Sequence, residues 1–358
     1  MMADVDFPTL TGLVSHYSPS GRERGAVEWL VAHMKSLGFD QSFFDEAGNA
    51  VGIMGQGNKQ IVLLGHIDTV PGEISVHLEK GNLYGRGSVD AKGPLACFVD
   101  SAAQVGPVNG WQFIVIGAVE EERDSKGAQF AANQYKPEFA IIGEPNRWDR
   151  IALGYKGSAW ANVNVRCEQM HSASGEITAC EYAVELWQKV KAYTGKFNED
   201  RERAFDKLLP TLRGMDSESS DFEQKACLRI GMRLPPDISP KEWYEKLDEI
   251  LRGHSVKTGY YVEIKATGFA VPAWEGKKNT APVRAFLSSI RSEGGEPRFV
   301  YKTGTADSNI IVPVWNCPAV VYGPGDSALD HTPNEHIELE EYSKGIHILS
   351  NVLRKLAQ

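Results

Sequence analysis

Three short apolar runs, residues 61–64, 113–116 and 140–142, each give way within a few residues to side chains that bind protons or metal ions. The first continues as Gly65-His66-Ile67-Asp68-Thr69-Val70-Pro71. The second reaches Glu120-Glu121-Glu122, and the third passes through Gly143 to Glu144 and Pro145. Short apolar runs without alternation read as strands buried on both faces, the habit of parallel strands in an α/β sheet. Such sheets gather their working groups beyond the carboxyl ends of the strands. The pattern therefore predicts an α/β fold with a histidine and several carboxylates at one edge of a sheet.

The rest of the first 150 residues alternates helix and strand signals, as a sheet covered by helices requires. A helix is predicted over residues 21–37, with Val27, Leu30, Val31 and Met34 at helical spacing and Gly38 as a stop. Another should begin near Lys92. After Gly154 the character changes: residues 158–165 alternate apolar and polar, the mark of a strand with one solvated face. A helix (178–193), a polar stretch (197–220), a strand (226–234), a helix (240–251) and a strand (260–267) follow. This β-α-β-α-β segment predicts helices packed on one sheet face. The expected organisation is a discontinuous catalytic domain, residues 1–155 and 270–358, interrupted by an inserted domain at 156–269.

Composition narrows the function classes. The formal charge of −9 argues against a nucleic-acid binder, whose footprint is a basic excess. No apolar stretch approaches the roughly 20 residues that span a bilayer. The acidic start, residues 1–8, lacks the basic and apolar regions of a signal peptide, so a cytoplasmic location is the expectation. The five cysteines are scattered, with no Cys-x-x-Cys pair, and read as buried structural thiols.

A lone histidine after a strand is ordinarily structural. Asp68, two residues beyond His66, changes that balance, because a carboxylate accepting from the second ring nitrogen fixes the tautomer at a metal site. Asp90, in Gly85-Arg86-Gly87-Ser88-Val89-Asp90-Ala91-Lys92-Gly93, reads either as a helix N-cap or as a carboxylate able to bridge two metals. The Glu120-Glu121-Glu122 triplet reads either as a solvated face or as neighbouring carboxylates with separate tasks. Glu144 ends a third apolar run, and His331 sits in a loop after a strand at 319–322. Nitrogen and oxygen donors together suit zinc, with cobalt or manganese as alternatives, better than calcium.

Taken together, His66-Ile67-Asp68-Thr69-Val70-Pro71, the Gly85-to-Gly93 segment, Glu121-Glu122, Gly143-Glu144-Pro145 and Asp330-His331-Thr332 resemble the M20 metallopeptidase family. The resemblance implies an α/β zinc-peptidase catalytic domain with an inserted α+β lid and dimerisation domain, and a homodimer. It implies two divalent metal ions, zinc or cobalt. His66 and Glu144 would hold one, Glu122 and His331 the other, and Asp90 would bridge them. Glu121 would be the general base and Asp68 would orient His66. His171 in Met170-His171-Ser172-Ala173-Ser174 matches the histidine lent across the dimer to polarise the scissile carbonyl. Arg233 matches the lid arginine that grips a substrate carboxylate. Strand alternation puts Arg229 on the same face, so the residues alone leave both open.

Within the family, residues 143–145, 154–157 and 302–309 resemble the branch that releases lysine or ornithine from the γ-carboxyl of the terminal glutamate of an acidic amino-group carrier protein, in lysine and arginine biosynthesis. The alternatives are deacetylation of acetylornithine or acetyl-lysine, desuccinylation of succinyl-diaminopimelate, and dipeptidase or carboxypeptidase action. A non-catalytic binding protein on the same scaffold would ordinarily have lost a ligand or the base. The stretch 188–213, with seven Lys or Arg against four Asp or Glu, would suit an acidic carrier.

Overall fold

The computed structural model describes residues 7–171 and 175–358, with the backbone alone for residues 253–258. It divides into two compact units. One comprises the described residues of Met1–Leu153, Gly276–Tyr301 and Ala306–Gln358, the other those of Gly154–Glu275 and Lys302–Thr305.

The first unit opens with helices α1 (Pro8–Ser15) and α2 (Arg24–Ser36), then strands β1 (Gln41–Phe44), β2 (Ala50–Met54), β3 (Gly57–His66), β4 (His77–Glu79) and β5 (Asn82–Tyr84). Helix α3 (Lys92–Val105), β6 (Gly110–Ala118), α4 (Lys126–Gln134), β7 (Phe139–Gly143) and β8 (Arg150–Tyr155) follow. The second unit supplies β9 (Gly157–Glu168), α5 (Ala179–Asn198), β10 (Leu209–Ser219), β11 (Glu223–Leu234), α6 (Pro240–Thr258), β12 (Tyr261–Val271) and β13 (Trp274–Glu275). The chain then continues through α7 (Ala281–Ser292), β14 (Arg298–Lys302), α8 (Ser308–Trp315), β15 (Ala319–Val321), β16 (His336–Glu338) and α9 (Leu339–Leu356).

In the first unit β1, β2, β6, β3, β7, β15 and β8 lie side by side in that order. The central four, β6-β3-β7-β15, are mutually parallel. Register levels their ends: His66 pairs with Ala118, Gly65 with Gly143, and Val321 with Ile142. The apolar runs are those strands, with Ile61, Val62, Leu63, Leu64, Phe113, Ile114, Val115 and Ile116 all fully buried. Gly143 is closely packed: a Cβ there would stand 3.0 Å from the Phe98 ring and 3.2 Å from the Gly65 Cα, crowding both. Helix α9 packs against α3 and α7, burying Tyr342, Ile348, Leu349, Val352 and Leu353. Its acidic first turn and basic last turn complement the helix dipole.

The second unit is a four-stranded antiparallel sheet, order β10-β11-β9-β12. Helices α5 and α6 pack on it through a core that includes Val163, Val165, Tyr182, Leu186, Leu228, Trp243 and Leu247. Both helices start from capping boxes, Thr178 with Glu181 and Ser239 with Glu242, each satisfying two otherwise orphaned N–H groups. The order is β-α-β-β-α-β, not the expected β-α-β-α-β. The additional strand, β10, occupies about half of the polar stretch 197–220, for which no element is expected. It is an edge strand with most residues exposed, so burial imposes little apolar pattern on it.

Candidate metal centre

The ends of β3 and β6, the turn before α3 and the loop after β15 meet in one cluster within the first unit. His66, the last residue of β3, is buried. Its Nδ1 lies 3.0 Å from the Asp68 carbonyl oxygen and 3.5 Å from Asp68 Oδ1. The backbone, more closely than the carboxylate, therefore orients the ring. That arrangement leaves Nε2 directed at Asp90 Oδ1, 3.1 Å away. Asp90 Oδ2 lies 3.1 Å from His331 Nε2, and His331 Nε2 lies 2.9 Å from Glu122 Oε1. Donor atoms of His66, Asp90 and Glu122 all fall within 4.8 Å of one another. Asp90 does not cap α3: the N-cap residue is Ala91 and no side chain bonds to the helix start.

Glu120 takes a left-handed backbone conformation, φ 60°, and the acidic triplet does not face one way. Glu120 turns towards Arg123 and Lys126, and Glu122 towards His331. Asp68 pins the turn from beneath. Its Oδ1 accepts the Glu121 N–H at 3.0 Å, and its Oδ2 accepts the Glu122 N–H at 3.1 Å and the Ser20 hydroxyl at 2.7 Å. His331 is also left-handed, φ 60°. Strained backbone of this kind concentrates where surrounding structure dictates it.

Electrostatics follow burial. Burial opposes charge on His66, but the Asp68 and Asp90 carboxylates outweigh it and hold the imidazole well above its ordinary pKa. Asp90 and Glu122 push His331 up to about 10. Despite burial, the two histidines hold the Asp90 carboxyl below the usual carboxylate range. Burial raises Glu121 well above that range, only partly offset by His66. Burial also raises Glu144, which feels the opposed charges of His66 and Asp90.

This donor set fits divalent metal. Two imidazole nitrogens and the carboxylates of Asp90 and Glu122 are joined by contacts of 2.9–3.1 Å, and the central carboxylate turns one oxygen to each histidine. Zinc takes such ligands.

Two residues not singled out from sequence belong beside it. Glu335 accepts N–H groups from Val89 and Asp90; its signal was a glutamate four residues after His331 in the same loop. Asp307 lies in the segment 302–309, is buried, and is pushed up to about 7 by that burial, against the pull of His66.

His171 and Arg233 belong to the second unit. His171 is exposed just beyond β9, and residues 172–174 of its motif lie outside the described residues. Arg233 Nη1 donates to Thr305 Oγ1 at 3.2 Å, and its guanidinium lies 5.8 Å from the Trp160 ring centre. Arg229 is ion-paired with Asp216. Among the described residues no helix is long and apolar enough to cross a membrane.

Comparison with known proteins gives consistent findings. Peptidase family M20/M25/M40 matches residues 62–355. The chain is 39% identical over 350 residues to the [LysW]-lysine hydrolase of Deinococcus radiodurans, covering 96% of this chain and 94% of that protein. It is 26% identical over 351 residues to the [LysW]-lysine/[LysW]-ornithine hydrolase of Saccharolobus islandicus, covering 98% and 95%. In fold it resembles aminopeptidase PepT of Bacillus cereus, TM-score 0.80 at 17% identity over 99% of both chains. It also resembles a metallo-carboxypeptidase of Sulfolobus solfataricus, TM-score 0.76 at 19% identity over 99% of both chains.

Proposed function

The chain belongs to peptidase family M20/M25/M40, and from that premise we propose that it hydrolyses the amide joining lysine or ornithine to the γ-carboxyl of the terminal glutamate of an acidic amino-group carrier protein. The observation that carries the substrate is the 39% identity to a [LysW]-lysine hydrolase over 96% of the chain. The family makes it a metal-dependent amide hydrolase, and this reading places it in the cytoplasm, in lysine or arginine biosynthesis.

In this reading His66 and Glu144 would hold one divalent ion and Glu122 and His331 the other, zinc or cobalt, and Asp90 would be shared by both. The opposed Asp90 contacts to His66 and His331, 3.1 Å each, support the bridging role. When bound, the ions lower the pKa of water towards neutrality and offset charge developing on the scissile oxygen. Glu121 receives the proton of the attacking water and returns it to the leaving amine. Its backbone is held by Asp68, while its carboxylate stands outside the contacts that join His66, Asp90, Glu122 and His331. His171, lent across a homodimer, would polarise the carbonyl. Arg233 would grip a substrate carboxylate.

A docking role for the basic stretch 188–213 rests on fewer charges than its composition implies. Arg201 is paired with Asp237 and Arg203 with Asp206.

The test is to incubate metal-reconstituted enzyme with lysyl and ornithyl adducts of the carrier, beside acetylornithine, acetyl-lysine, succinyl-diaminopimelate and plain dipeptides. Release of the amino acid from a carrier adduct, abolished by chelation and restored by zinc or cobalt, is the expected result. Faster turnover of any small substrate would replace the carrier reading with that one.

Asp68→Asn presents an amide N–H₂ to donors that now meet a carboxylate. It is expected to lower kcat by about 10–100-fold, the scale of losing a partner that orients metal ligands. Unchanged kcat would remove Asp68 from the machinery.

A further inference from the structure

Glu335 lies four residues beyond His331, on the strap leading into β16, and is fully buried. Its Oε1 accepts the backbone N–H groups of both Val89 and Asp90, 3.0 Å each. Its Oε2 accepts Arg86 Nη1 at 2.7 Å, and Arg86 Nε donates to the Gly72 carbonyl at 2.8 Å. The backbone joins in as well, with Gly85 N–H donating to the Glu335 carbonyl at 3.3 Å. One side chain thus closes the turn at 85–90 from within.

Two successive N–H groups can share one oxygen only if the backbone curls around it. That curl fixes the direction in which the Asp90 side chain leaves the chain. Replacing a buried ion pair with apolar residues is often neutral or stabilising, so the Arg86–Glu335 pair is poorly explained as a source of stability. What an apolar residue could not reproduce is the hydrogen-bond geometry imposed on Val89 and Asp90.

We infer that Glu335 is a positioning residue that aims the Asp90 carboxylate between His66 and His331, so that one strap supplies both a metal donor and the group that directs the bridging donor. The inference rests on the proposed bridging role of Asp90. Burial of an acid here is then a consequence of having two adjacent N–H groups and a guanidinium to satisfy together. The tie also makes the two halves of the donor set interdependent, because movement of the His331 strap carries Glu335, and with it Asp90.

The test titrates zinc by calorimetry into the metal-free full-length protein and into Glu335→Ala and Glu335→Gln, with kcat and KM measured on the zinc-loaded forms. Glu335→Ala is expected to weaken zinc binding by about 10–100-fold, and to lower kcat with little change in KM. Glu335→Gln keeps an oxygen for the two N–H groups and should bind zinc more tightly than the alanine variant. Wild-type zinc affinity in Glu335→Ala overturns the inference, and so does a glutamine variant no better than alanine. If Glu335→Ala does not fold, Glu335→Asp takes its place, one methylene too short to hold both N–H groups, and must show the same weakening. The bridging role itself is checked separately: unchanged zinc stoichiometry in Asp90→Ala would bring that reading down, whatever Glu335 does.

Discussion

Glu121→Ala is expected to abolish turnover while leaving metal content close to that of the unaltered protein. The side chain is the one member of the Glu120-Glu121-Glu122 triplet with neither a surface cation nor His331 as a partner: Glu120 faces Arg123 and Lys126, and Glu122 meets His331. The substitution leaves the Glu121 backbone N–H bound to Asp68, so the turn that carries Glu122 keeps its shape. Loss of a positioned acid–base group costs about 10²–10⁴-fold in rate. Metal analysis and single-turnover rates on the same preparation check both halves. Near-normal turnover would remove Glu121 as the base, and a parallel loss of metal would make it a ligand instead.

Asp90→Ala should do the reverse, taking metal and activity together. Its two oxygens lie 3.1 Å from His66 Nε2 and 3.1 Å from His331 Nε2, so no neighbouring group can replace both contacts. The expected outcome is a fall in zinc stoichiometry and a rate loss of at least about 10²–10³-fold, the scale of removing one preorganised electrostatic group. Zinc titration followed by amide hydrolysis with excess metal distinguishes weakened binding from a misplaced centre. Full occupancy with full activity would show that the histidines and glutamates suffice without it. Comparison with Glu121→Ala is informative because the two variants separate the proton-transfer role from the ligand role at the same centre.

The buried strands were legible because their chemistry is local. Four fully buried residues in succession, such as 61–64, leave a sequence mark that no surface segment would carry. The second unit's helices were legible too, at 178–193 and 240–251, and the structure shows their starts closed by capping boxes, Thr178 with Glu181 and Ser239 with Glu242. Strand β10 was not legible: an edge strand whose residues mostly face water is under no pressure to alternate apolar and polar groups. Asp90 was ambiguous in sequence for a different reason. An acid just before a helix is the ordinary mark of a cap, and its contacts with histidines 24 residues before it and 241 residues after it have no local signature.

The amino-acid sequence by itself determined which residue types could serve as donors and which strand ends would carry them, because apolar runs and the groups that terminate them are properties of neighbouring positions. Tertiary structure decided the rest. Parallel pairing brought His66 level with Ala118 and Gly65 with Gly143, so that three separated strand ends lie level at one edge of the sheet. It turned the members of one acidic triplet in different directions, and it brought Glu335 under a turn some 245 residues earlier in the chain. Those arrangements depend on hydrogen bonds between distant segments, whose partners are selected only when the sheet closes and the loops at its edge have nowhere else to go.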